Sequence, residues 1–179
     1  FRSGVPYVHR VDSGRPGPVV LVQALTHGNE LCGAIALHWL LQQPLAPLQG
    51  SLVLAFANVA AYERFDPAAP HTARCVDEDL NRVWADDVLF GPRDSVELRR
   101  ARQLQPVVDA ADLLLDLHSM SEPCRPLMVC GTQAKRSFGW CETSKRQTYC
   151  WMTTSSLHFD CQVHLFASAS ADEWAPRAI

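Results

Sequence analysis

The chain has 179 residues, of which 47% are apolar and 20% are charged, and its formal net charge is -3. This length allows one substantial hydrophobic core and disfavours two full domains, and the composition is typical of an ordinary globular protein. The small negative charge gives no reason to expect a nucleic acid or an anionic membrane as a partner, and no stretch predicts a transmembrane helix.

The seven cysteines are an odd number and include no Cys-x-x-Cys pair. This usage predicts reduced thiols in an intracellular protein more readily than a framework of disulfides, with cysteine ligation of a metal as a weaker third option. The first residues also lack the charged, apolar and small-residue pattern of a leader peptide. We therefore expect a cytoplasmic protein.

The first third of the chain predicts two buried strands with a helix between them. Residues 18–25 are nearly all apolar and rich in Val and Leu, which is typical of a strand buried on both faces. A polar turn at 26–30 follows. Residues 31–43 carry apolar side chains on every side and predict a well-buried helix that Pro44 ends. Residues 51–57 repeat the pattern of a buried strand.

The middle of the chain predicts a loop, a helix and two more strands. Residues 67–79 are rich in Pro, Asp and Ala and predict an irregular loop. Residues 95–110 show an imperfect helical periodicity, and Pro106 is expected to kink this helix or to end it early. Residues 111–117 predict a third buried strand, and 126–130 a fourth.

Strands that alternate with helices predict an α/β fold, in which a mostly parallel or mixed sheet is flanked by helices. Ligands in such folds collect at the carboxyl ends of the strands. Two of the predicted strands end at the polar segments 26–30 and 116–119, so we expect a functional site where these segments meet. The pattern does not predict an oligomeric state.

Two histidines and a glutamate occur in these two polar segments. His27 and Glu30 lie in one tight turn, and His118 arrives from the other strand. Two imidazoles and one carboxylate are common ligands of catalytic zinc, with a fourth position left open. An isolated His-x-x-Glu pair is most often an ordinary surface pair, and a single histidine at a strand end is most often structural. The prediction of a metal site therefore depends on the three residues together.

Asp116 lies two residues before His118. Side chains two apart on an extended strand point to the same face, so this carboxylate is placed to accept the free N–H of a ligand histidine. We expect Asp116 to fix the histidine tautomer from behind rather than to bind the ion.

Three motifs occur in order along the chain: Thr-His-Gly-Asn-Glu at 26–30, Arg74 followed by Asp-Leu-Asn-Arg at 79–82, and Leu-Asp-Leu-His-Ser at 115–119. Together they resemble the succinylglutamate desuccinylase/aspartoacylase family, a branch of the zinc carboxypeptidase superfamily. The resemblance spans residues 17–131, and chance assembly of all three motifs is remote. It implies a zinc carboxypeptidase-like fold.

By matching position, the resemblance implies that His27, Glu30 and His118 hold one Zn²⁺ per chain. The implied function is a zinc-dependent hydrolase that cleaves an amide, a non-peptide C–N bond, in a small N-acyl amino acid or a related carboxylate substrate. The metal activates a water and polarises the carbonyl, and a glutamate base passes the proton to the leaving amine. A serine hydrolase and a nucleotide-binding module are disfavoured, because the chain has no Gly-x-Ser-x-Gly turn and no glycine-rich phosphate loop.

The resemblance assigns the substrate contacts to the middle motif. Asn81 and Arg82 match the pair that holds a substrate carboxylate, for which a planar guanidinium is well suited. Arg74 matches the arginine that polarises the scissile carbonyl and stabilises the oxyanion. Without the resemblance, surface salt bridges of these arginines with Asp77 or Asp79 would be the preferred interpretation.

The general-base glutamate is not found in a later strand, well past His118, where the family places it. Glu142 and Glu173 are the only glutamates after residue 135, and neither lies in a strand-like sequence. Residues 1–135 contain 19 leucines, whereas residues 136–179 contain 2, and the periodicity of strands and helices disappears there. We therefore divide the chain into the N-terminal part of a zinc hydrolase domain, 1–135, and an anomalous tail, 136–179, and expect the fold to be incomplete at its C-terminus.

We hypothesise that this tail is a frameshifted translation of a longer gene. A shift of two bases in the codons of residues 148–153 gives an aliphatic residue, Leu, Leu, Asp and Asp, as expected of a buried strand ending in acids. The alternative is a divergent but genuine C-terminal segment. A frameshift would leave a catalytically inactive, zinc-binding fragment that lacks the base, which is the second hypothesis for the function.

Overall fold

The computed structural model describes residues 4–120, 127–130 and 148–155. Six strands form in this part of the chain: β1 (Val8–Asp12), β2 (Val19–Ala24), β3 (Ser51–Phe56), β4 (Leu113–Met120), β5 (Leu127–Cys130) and β6 (Thr148–Ser155). The helices are α1 (Leu31–Leu41), α2 (Val59–Tyr62), α3 (Asp86–Leu89) and α4 (Val96–Asp109), with 3₁₀ turns at Pro70–Ala73 and Leu80–Arg82.

The six strands form one mixed sheet in the order β1-β3-β2-β4-β6-β5. The four central strands are parallel, and the two edge strands, β1 and β5, pair antiparallel with their neighbours. This architecture confirms the predicted α/β fold with a mixed sheet flanked by helices. It also brings the carboxyl ends of β2 and β4, which are neighbours, to the same edge of the sheet.

The predicted strands at 18–25, 51–57, 111–117 and 126–130 all form, with boundaries shifted by a few residues. The largest shift is at β4, which continues to Met120. His118 therefore lies within the strand rather than after its end. Two strands were not predicted: β1, whose sequence Val-His-Arg-Val-Asp has no apolar run, and β6, in a region where we expected no regular structure. Aromatic residues and threonines, which favour strands without an apolar alternation, make up much of β6.

The expectation that Pro106 ends α4 early is wrong, because this helix continues to Asp109. Proline removes one backbone hydrogen bond within the helix, at a cost of about 3 kcal/mol. The side chains of Leu98, Ala101 and Leu104 are fully buried on the side of α4 that faces the sheet. Burial of leucine side chains stabilises by roughly 1.5–3 kcal/mol each, which offsets that loss.

Two apolar clusters cover the two faces of the sheet. Alternate residues of a strand point to opposite faces, so Leu21 of β2 packs with α4 and Val22 packs with α1. The prediction that α1 is buried on all sides is wrong, because Ile35 and Trp39 are 59% and 50% exposed. One face of α1 packs on the sheet, and in the described part of the chain nothing covers the other.

Helix α1 approaches the sheet closely at Gly33. A methyl group at this position would lie 2.8 Å from Cβ of Leu117 and 2.9 Å from Cβ of Ala24, which is closer than such atoms pack. The start of α1 is therefore held directly against β2 and β4. None of the helices in the described ranges has both the length and the hydropathy that a membrane-spanning helix requires. The two cysteines whose side chains are described, Cys32 and Cys75, are free thiols.

Candidate metal centre

The turn between β2 and α1 carries His27 and Glu30. It begins at Leu25, whose φ of 59° lies in the left-handed region and turns the chain sharply out of the strand. The N–H of Gly28 donates to the carbonyl oxygen of Arg74 at 3.1 Å. A methyl group at Gly28 would lie 2.4 Å from the backbone of Ala61, so only glycine fits this approach. The turn is thus fixed against two neighbouring segments.

His118, from β4, meets these two residues at the carboxyl edge of the sheet. Glu30 accepts from both rings, with its Oε1 2.7 Å from Nδ1 of His27 and its Oε2 2.7 Å from Nδ1 of His118. The two ring centroids are 5.2 Å apart. All three residues are buried, with exposed fractions of 3% to 5%. We call this cluster of His27, Glu30 and His118 the triad.

The triad fits a zinc ion. One ligand atom from each residue lies within 4.8 Å of those of the other two. The ligand atoms of a tetrahedral zinc are roughly 3.3 Å apart, because zinc bonds to nitrogen and oxygen are about 2.0–2.1 Å long. Two imidazoles and one carboxylate are also the donor set of many catalytic zinc sites, in which a fourth position stays open. The ligand atoms are therefore close enough to one another to share one ion.

The triad is strongly polarised. Burial raises the pKa of Glu30, but hydrogen bonds from the two histidines outweigh this effect and lower the pKa to about 2. Burial lowers the pKa of His118, but hydrogen bonds to Asp116 and Glu30 outweigh it and raise the pKa to about 10. Without a metal, the positive charge of a protonated His118 therefore compensates the negative charge of the buried carboxylates.

Asp116 lies behind His118, as the alternation along β4 predicts. Its Oδ2 accepts from Nε2 of His118 at 3.0 Å, on the side of the ring away from Glu30. The hydroxyl of Thr26 donates to the same carboxylate at 2.9 Å, and the amide of Gln23 donates to that hydroxyl at 3.0 Å. Thr26 and Gln23 were not singled out in the sequence. The available signal was a polar residue, Gln23, in a strand that is otherwise apolar.

Asp79 occupies the matching position behind His27, which the sequence analysis did not predict. Its Oδ1 lies 3.0 Å from Nε2 of His27 and also accepts the N–H of Asn81 at 2.9 Å, where it caps the 3₁₀ turn Leu80–Arg82. Burial raises the pKa of Asp79, but hydrogen bonds from Asn81, His27 and Arg74 lower it below its usual range. The sequence suggested Asp79 only as a partner for an arginine.

Arg74 borders the triad. Its guanidinium nitrogens lie 2.9 Å from Nε2 of His27, 3.6 Å from Oε1 of Glu30 and 3.3 Å from Oδ2 of Asp79. The side chain is 46% exposed, so part of the guanidinium faces solvent. Both sequence-based interpretations of Arg74 are therefore compatible with its position, since it pairs with Asp79 and also borders the candidate metal ligands.

Asn81 and Arg82 lie in the same loop as Arg74 but not in the triad. Arg82 is exposed and donates to the carbonyl oxygen of Asn81 at 3.3 Å. Within the described residues, neither side chain hydrogen-bonds to a triad residue. Of the residues predicted from the sequence, Asp116 and Arg74 thus contact the triad. Asn81 and Arg82 lie nearby in the loop without contacting it through hydrogen bonds. Glu142 and Glu173 lie outside the described residues.

A buried carboxylate, Glu97 of α4, organises this loop. It accepts hydrogen bonds from three consecutive backbone N–H groups, those of residues 76–78, at 2.6, 3.0 and 3.3 Å, and from the side-chain amide of Asn58 at 3.0 Å. Burial raises the pKa of Glu97, and these hydrogen bonds lower it further than burial raises it. The clamp holds the backbone between Arg74 and Asp79. The sequence gives no local signal for it, because the loop and helix are about twenty residues apart.

The sequence of the chain is similar to those of known hydrolases. A sequence model of the succinylglutamate desuccinylase/aspartoacylase catalytic domain matches residues 16–155, which extends beyond our boundary at 135. The chain is 35% identical over 119 residues to the N-acyl-aromatic-L-amino acid amidohydrolase (carboxylate-forming) of Rattus norvegicus, covering 60% of this chain and 35% of the relative. It is 37% identical over 107 residues to a probable aspartoacylase of Parasynechococcus marenigrum, covering 56% of this chain and 33% of that protein.

The fold has solved counterparts. The crystal structure of murine aminoacylase 3 superposes with a TM-score of 0.59 at 22% sequence identity, covering 82% of this chain and 58% of that chain. The succinylglutamate desuccinylase of Chromobacterium violaceum superposes with a TM-score of 0.55 at 20% identity, covering 70% and 40%. The chain spans 35% of the length of the rat relative and 33% of the cyanobacterial one. Because the sequence match covers most of its residues, the chain belongs to the succinylglutamate desuccinylase/aspartoacylase family, within the catalytic domain.

Proposed function

We propose that the chain carries the metal site of a zinc-dependent deacylase that cleaves the amide of a small N-acyl amino acid or a related carboxylate substrate. The observation that carries this proposal is the convergence of two imidazoles and one carboxylate, from the turn after β2 and from the neighbouring strand β4, into one buried cluster. The relatives that are named as amidohydrolase and aspartoacylase support the substrate class. A cytoplasmic location goes with this proposal.

In this proposal His27, Glu30 and His118 hold the ion. A bound zinc ion would act as a Lewis acid on the substrate carbonyl and lower the pKa of a coordinated water to about 7. Asp116 accepts from the far nitrogen of His118, and Asp79 lies 3.0 Å from the far nitrogen of His27, so each aspartate holds its ring with the near nitrogen directed into the site. The hydrogen bond from the N–H of Ser119 to Glu30 at 3.2 Å orients the carboxylate as well.

Arg74 is the proposed electrophilic group. Its guanidinium borders the triad and is partly exposed, so it can donate to a carbonyl oxygen that enters from solvent. One such donor typically lowers the barrier by about 3 kcal/mol, because negative charge develops on this oxygen in the transition state. The ion pair with Asp79 limits the movement of the guanidinium.

Asn81 and Arg82 are the proposed contacts for the substrate carboxylate. Arg82 is exposed and follows Asp79, the residue behind His27, by only three positions. A planar guanidinium binds a carboxylate with two parallel hydrogen bonds. The clamp by Glu97 supports this role indirectly, since it holds the loop that carries all three substrate-contacting candidates.

The second candidate function is a zinc-binding but inactive fragment. It is motivated by the missing base: the only glutamates after residue 135 are Glu142 and Glu173, and neither has a strand-like sequence around it. A positioned base contributes roughly 10²- to 10⁴-fold to the rate. In this version residues 1–135 are the N-terminal part of the hydrolase domain and 136–179 are the frameshifted tail, whereas the family match up to residue 155 and the pairing of β6 with β4 favour the first version. The coding DNA after Lys135 tests this directly, because a long family-like open frame in another register is required.

Metal analysis combined with an amidase assay tests the proposal. The purified chain is loaded with zinc, dialysed and analysed, and hydrolysis of N-acyl amino acids is followed with and without a chelator. About one zinc per chain, with hydrolysis lost on chelation and restored by zinc, is the expected result. Zinc without hydrolysis would select the inactive fragment, and a chain that retains no zinc would exclude both versions.

A further inference from the structure

A chain of four polar side chains runs through the apolar interior beneath the triad. Gln23 of β2 donates to Thr26, Thr26 donates to Asp116 of β4, and Asp116 accepts from His118. The exposed fractions of these residues are 4%, 1%, 4% and 5%. Gln23 and Asp116 are also partners in the register of the parallel strands β2 and β4. We call this set of residues the relay.

The direction of each hydrogen bond in the relay is determined by its neighbours. The carboxylate of Asp116 only accepts, so Nε2 of His118 must carry a proton and donate it. The hydroxyl of Thr26 has one proton, and both carboxylate oxygens of Asp116 lie 2.9 Å from it. With that proton committed, the Thr26 oxygen accepts from Gln23, which must present its NH₂ group rather than its oxygen.

This direction has a cost in free energy. The Oε1 atom of Gln23 is buried and has no hydrogen-bond partner among the described residues. An unpaired buried acceptor destabilises the folded state, because it has lost its hydrogen bonds to water. Rotating the Gln23 amide by 180° would not improve this arrangement. Its oxygen would then face the oxygen of the Thr26 hydroxyl, whose proton is already donated to Asp116. The amide is therefore held in the orientation that serves Thr26.

We propose that Gln23 and Thr26 are positioning residues for the metal site. Through Asp116 they keep Nε2 of His118 protonated. They also keep Nδ1 of the same ring directed towards Glu30 and the proposed metal position. The effect of Asp116 on a ligand histidine is thus extended by two buried residues that never contact the ion. This inference rests on the proposed zinc site and goes beyond it by assigning residues that determine its affinity.

The alternative is that the relay only stabilises the fold, since Thr26 also links the turn after β2 to β4. Isosteric variants separate the two roles. Thr26→Val removes the hydroxyl at constant shape, whereas Thr26→Ser keeps it. Gln23→Met removes the amide at similar length. Val22→Ala is the matched control, because Val22 precedes Gln23 in β2 but packs on the opposite face of the sheet. This variant should lower the stability of the protein without changing any contact of the relay.

The test measures zinc affinity by chelator competition, the urea midpoint of the metal-free protein, and the visible absorption of the Co²⁺-substituted protein. We expect Thr26→Val to weaken zinc binding roughly 10- to 100-fold and to alter the Co²⁺ spectrum, as loss of such outer partners does elsewhere. Gln23→Met should follow in the same direction. Thr26→Ser should match the wild type, and Val22→Ala should lower the urea midpoint with zinc affinity and spectrum unchanged.

Three outcomes would overturn the inference. Wild-type zinc affinity in Thr26→Val or Gln23→Met would show that the relay does not act on the ligand. Equal weakening in Val22→Ala would show that affinity follows stability alone, and failure of both relay variants to fold would assign the relay to folding. A wild-type chain that binds no zinc at all would instead remove the proposed function, and the inference with it.

Discussion

The carboxylate of Asp79 lies 3.0 Å from Nε2 of His27, on the side of the ring away from Glu30. Asp116 has the same relation to His118, also at 3.0 Å. Each histidine therefore has Glu30 at Nδ1 and its own aspartate at Nε2. Because Asp116 belongs to β4 and Asp79 to a loop, two separate parts of the fold orient the two rings.

Replacing Asp79 should weaken metal binding. Asp79→Ala removes the carboxylate that lies 3.0 Å from Nε2 of His27, so the ring loses a contact that holds its orientation. We expect zinc affinity to fall roughly 10- to 100-fold. Competition with a chromophoric chelator measures this change. Asp86→Ala, which alters an exposed aspartate at the start of α3, serves as the control and should leave the affinity unchanged. Equal affinities of the two variants would exclude a role for Asp79 at the metal.

Zinc should stabilise the wild-type chain and not a variant that lacks one ligand. A ligand that binds only the folded state adds about 2.7 kcal/mol when its concentration is 100 times its dissociation constant. We therefore expect zinc to raise the thermal midpoint of the wild type, and to have little effect on His118→Ala. Differential scanning fluorimetry with and without excess chelator provides the measurement. A zinc-dependent shift of the same size in His118→Ala would place the ion elsewhere.

Loss of the Glu97 clamp should destabilise the loop that carries Arg74 and Asp79. Glu97→Ala leaves the N–H groups of residues 76–78 without their acceptor, at about 1 kcal/mol or more for each. We expect the free energy of unfolding to fall by roughly 3 kcal/mol in urea titrations. Glu63→Ala, which alters an exposed glutamate directly after α2, is the control and should change stability little. A loss in Glu97→Ala no larger than that in the control would contradict the clamp.

The same carboxylate should make stability depend on pH. The folded-state pKa of Glu97 is lowered, so its contribution is fully present above the ordinary glutamate value of about 4.3 and is lost as the pH falls through the lower folded-state value. The neutral variant Glu97→Gln lacks this dependence. The difference in unfolding free energy between wild type and variant should therefore shrink as urea titrations move from pH 7 towards pH 3. A constant difference would show that Glu97 does not titrate with folding.

Arg74 and Arg82 should differ in kinetic effect if the metal-loaded chain hydrolyses N-acyl amino acids. Arg74→Ala removes a donor to the developing oxyanion, and we expect kcat to fall about 10²- to 10³-fold. Arg82→Ala removes a substrate contact made in both ground and transition states, so KM should rise more than kcat falls. Zinc content, measured in parallel, should stay near the wild-type value in both variants. The reverse pattern would exchange the two assignments.

Much of this architecture follows from sequence patterns that are local. The Val- and Leu-rich runs of β2, β3 and β4 predict strands buried on both faces, and the alternation along β4 places Asp116 beside His118. The motifs at strand ends predict the triad because parallel strands deliver their carboxyl ends to one edge. The edge strand β1 has no such apolar run, and the exposed outer face of α1 cannot be told from its buried face when both are apolar.

The support around the triad is not predictable in this way. Asp79 and Glu97 act on segments that lie about twenty to fifty residues away, and their partners are backbone N–H groups or rings that the fold brings to them. A backbone N–H is present at nearly every residue, so no side-chain pattern marks it as a partner. Gln23 differs from Asp79 and Glu97 in this respect. A single amide in an otherwise apolar strand predicts a buried hydrogen-bond partner, because an unpaired buried amide is unfavourable.

The tight contact at Gly33 has a consequence for which ions the site can accept. At Gly33 there is no space for even a methyl group between α1 and the strands that it packs on. Glu30, the N-cap of this helix, therefore cannot move away from the sheet without opening a gap in the packing. The backbone that carries Glu30 is thus positioned by the packing of the apolar core. Three protein ligands suit a small four-coordinate ion, whereas calcium, which requires six to eight oxygens at about 2.3–2.6 Å, would need several more.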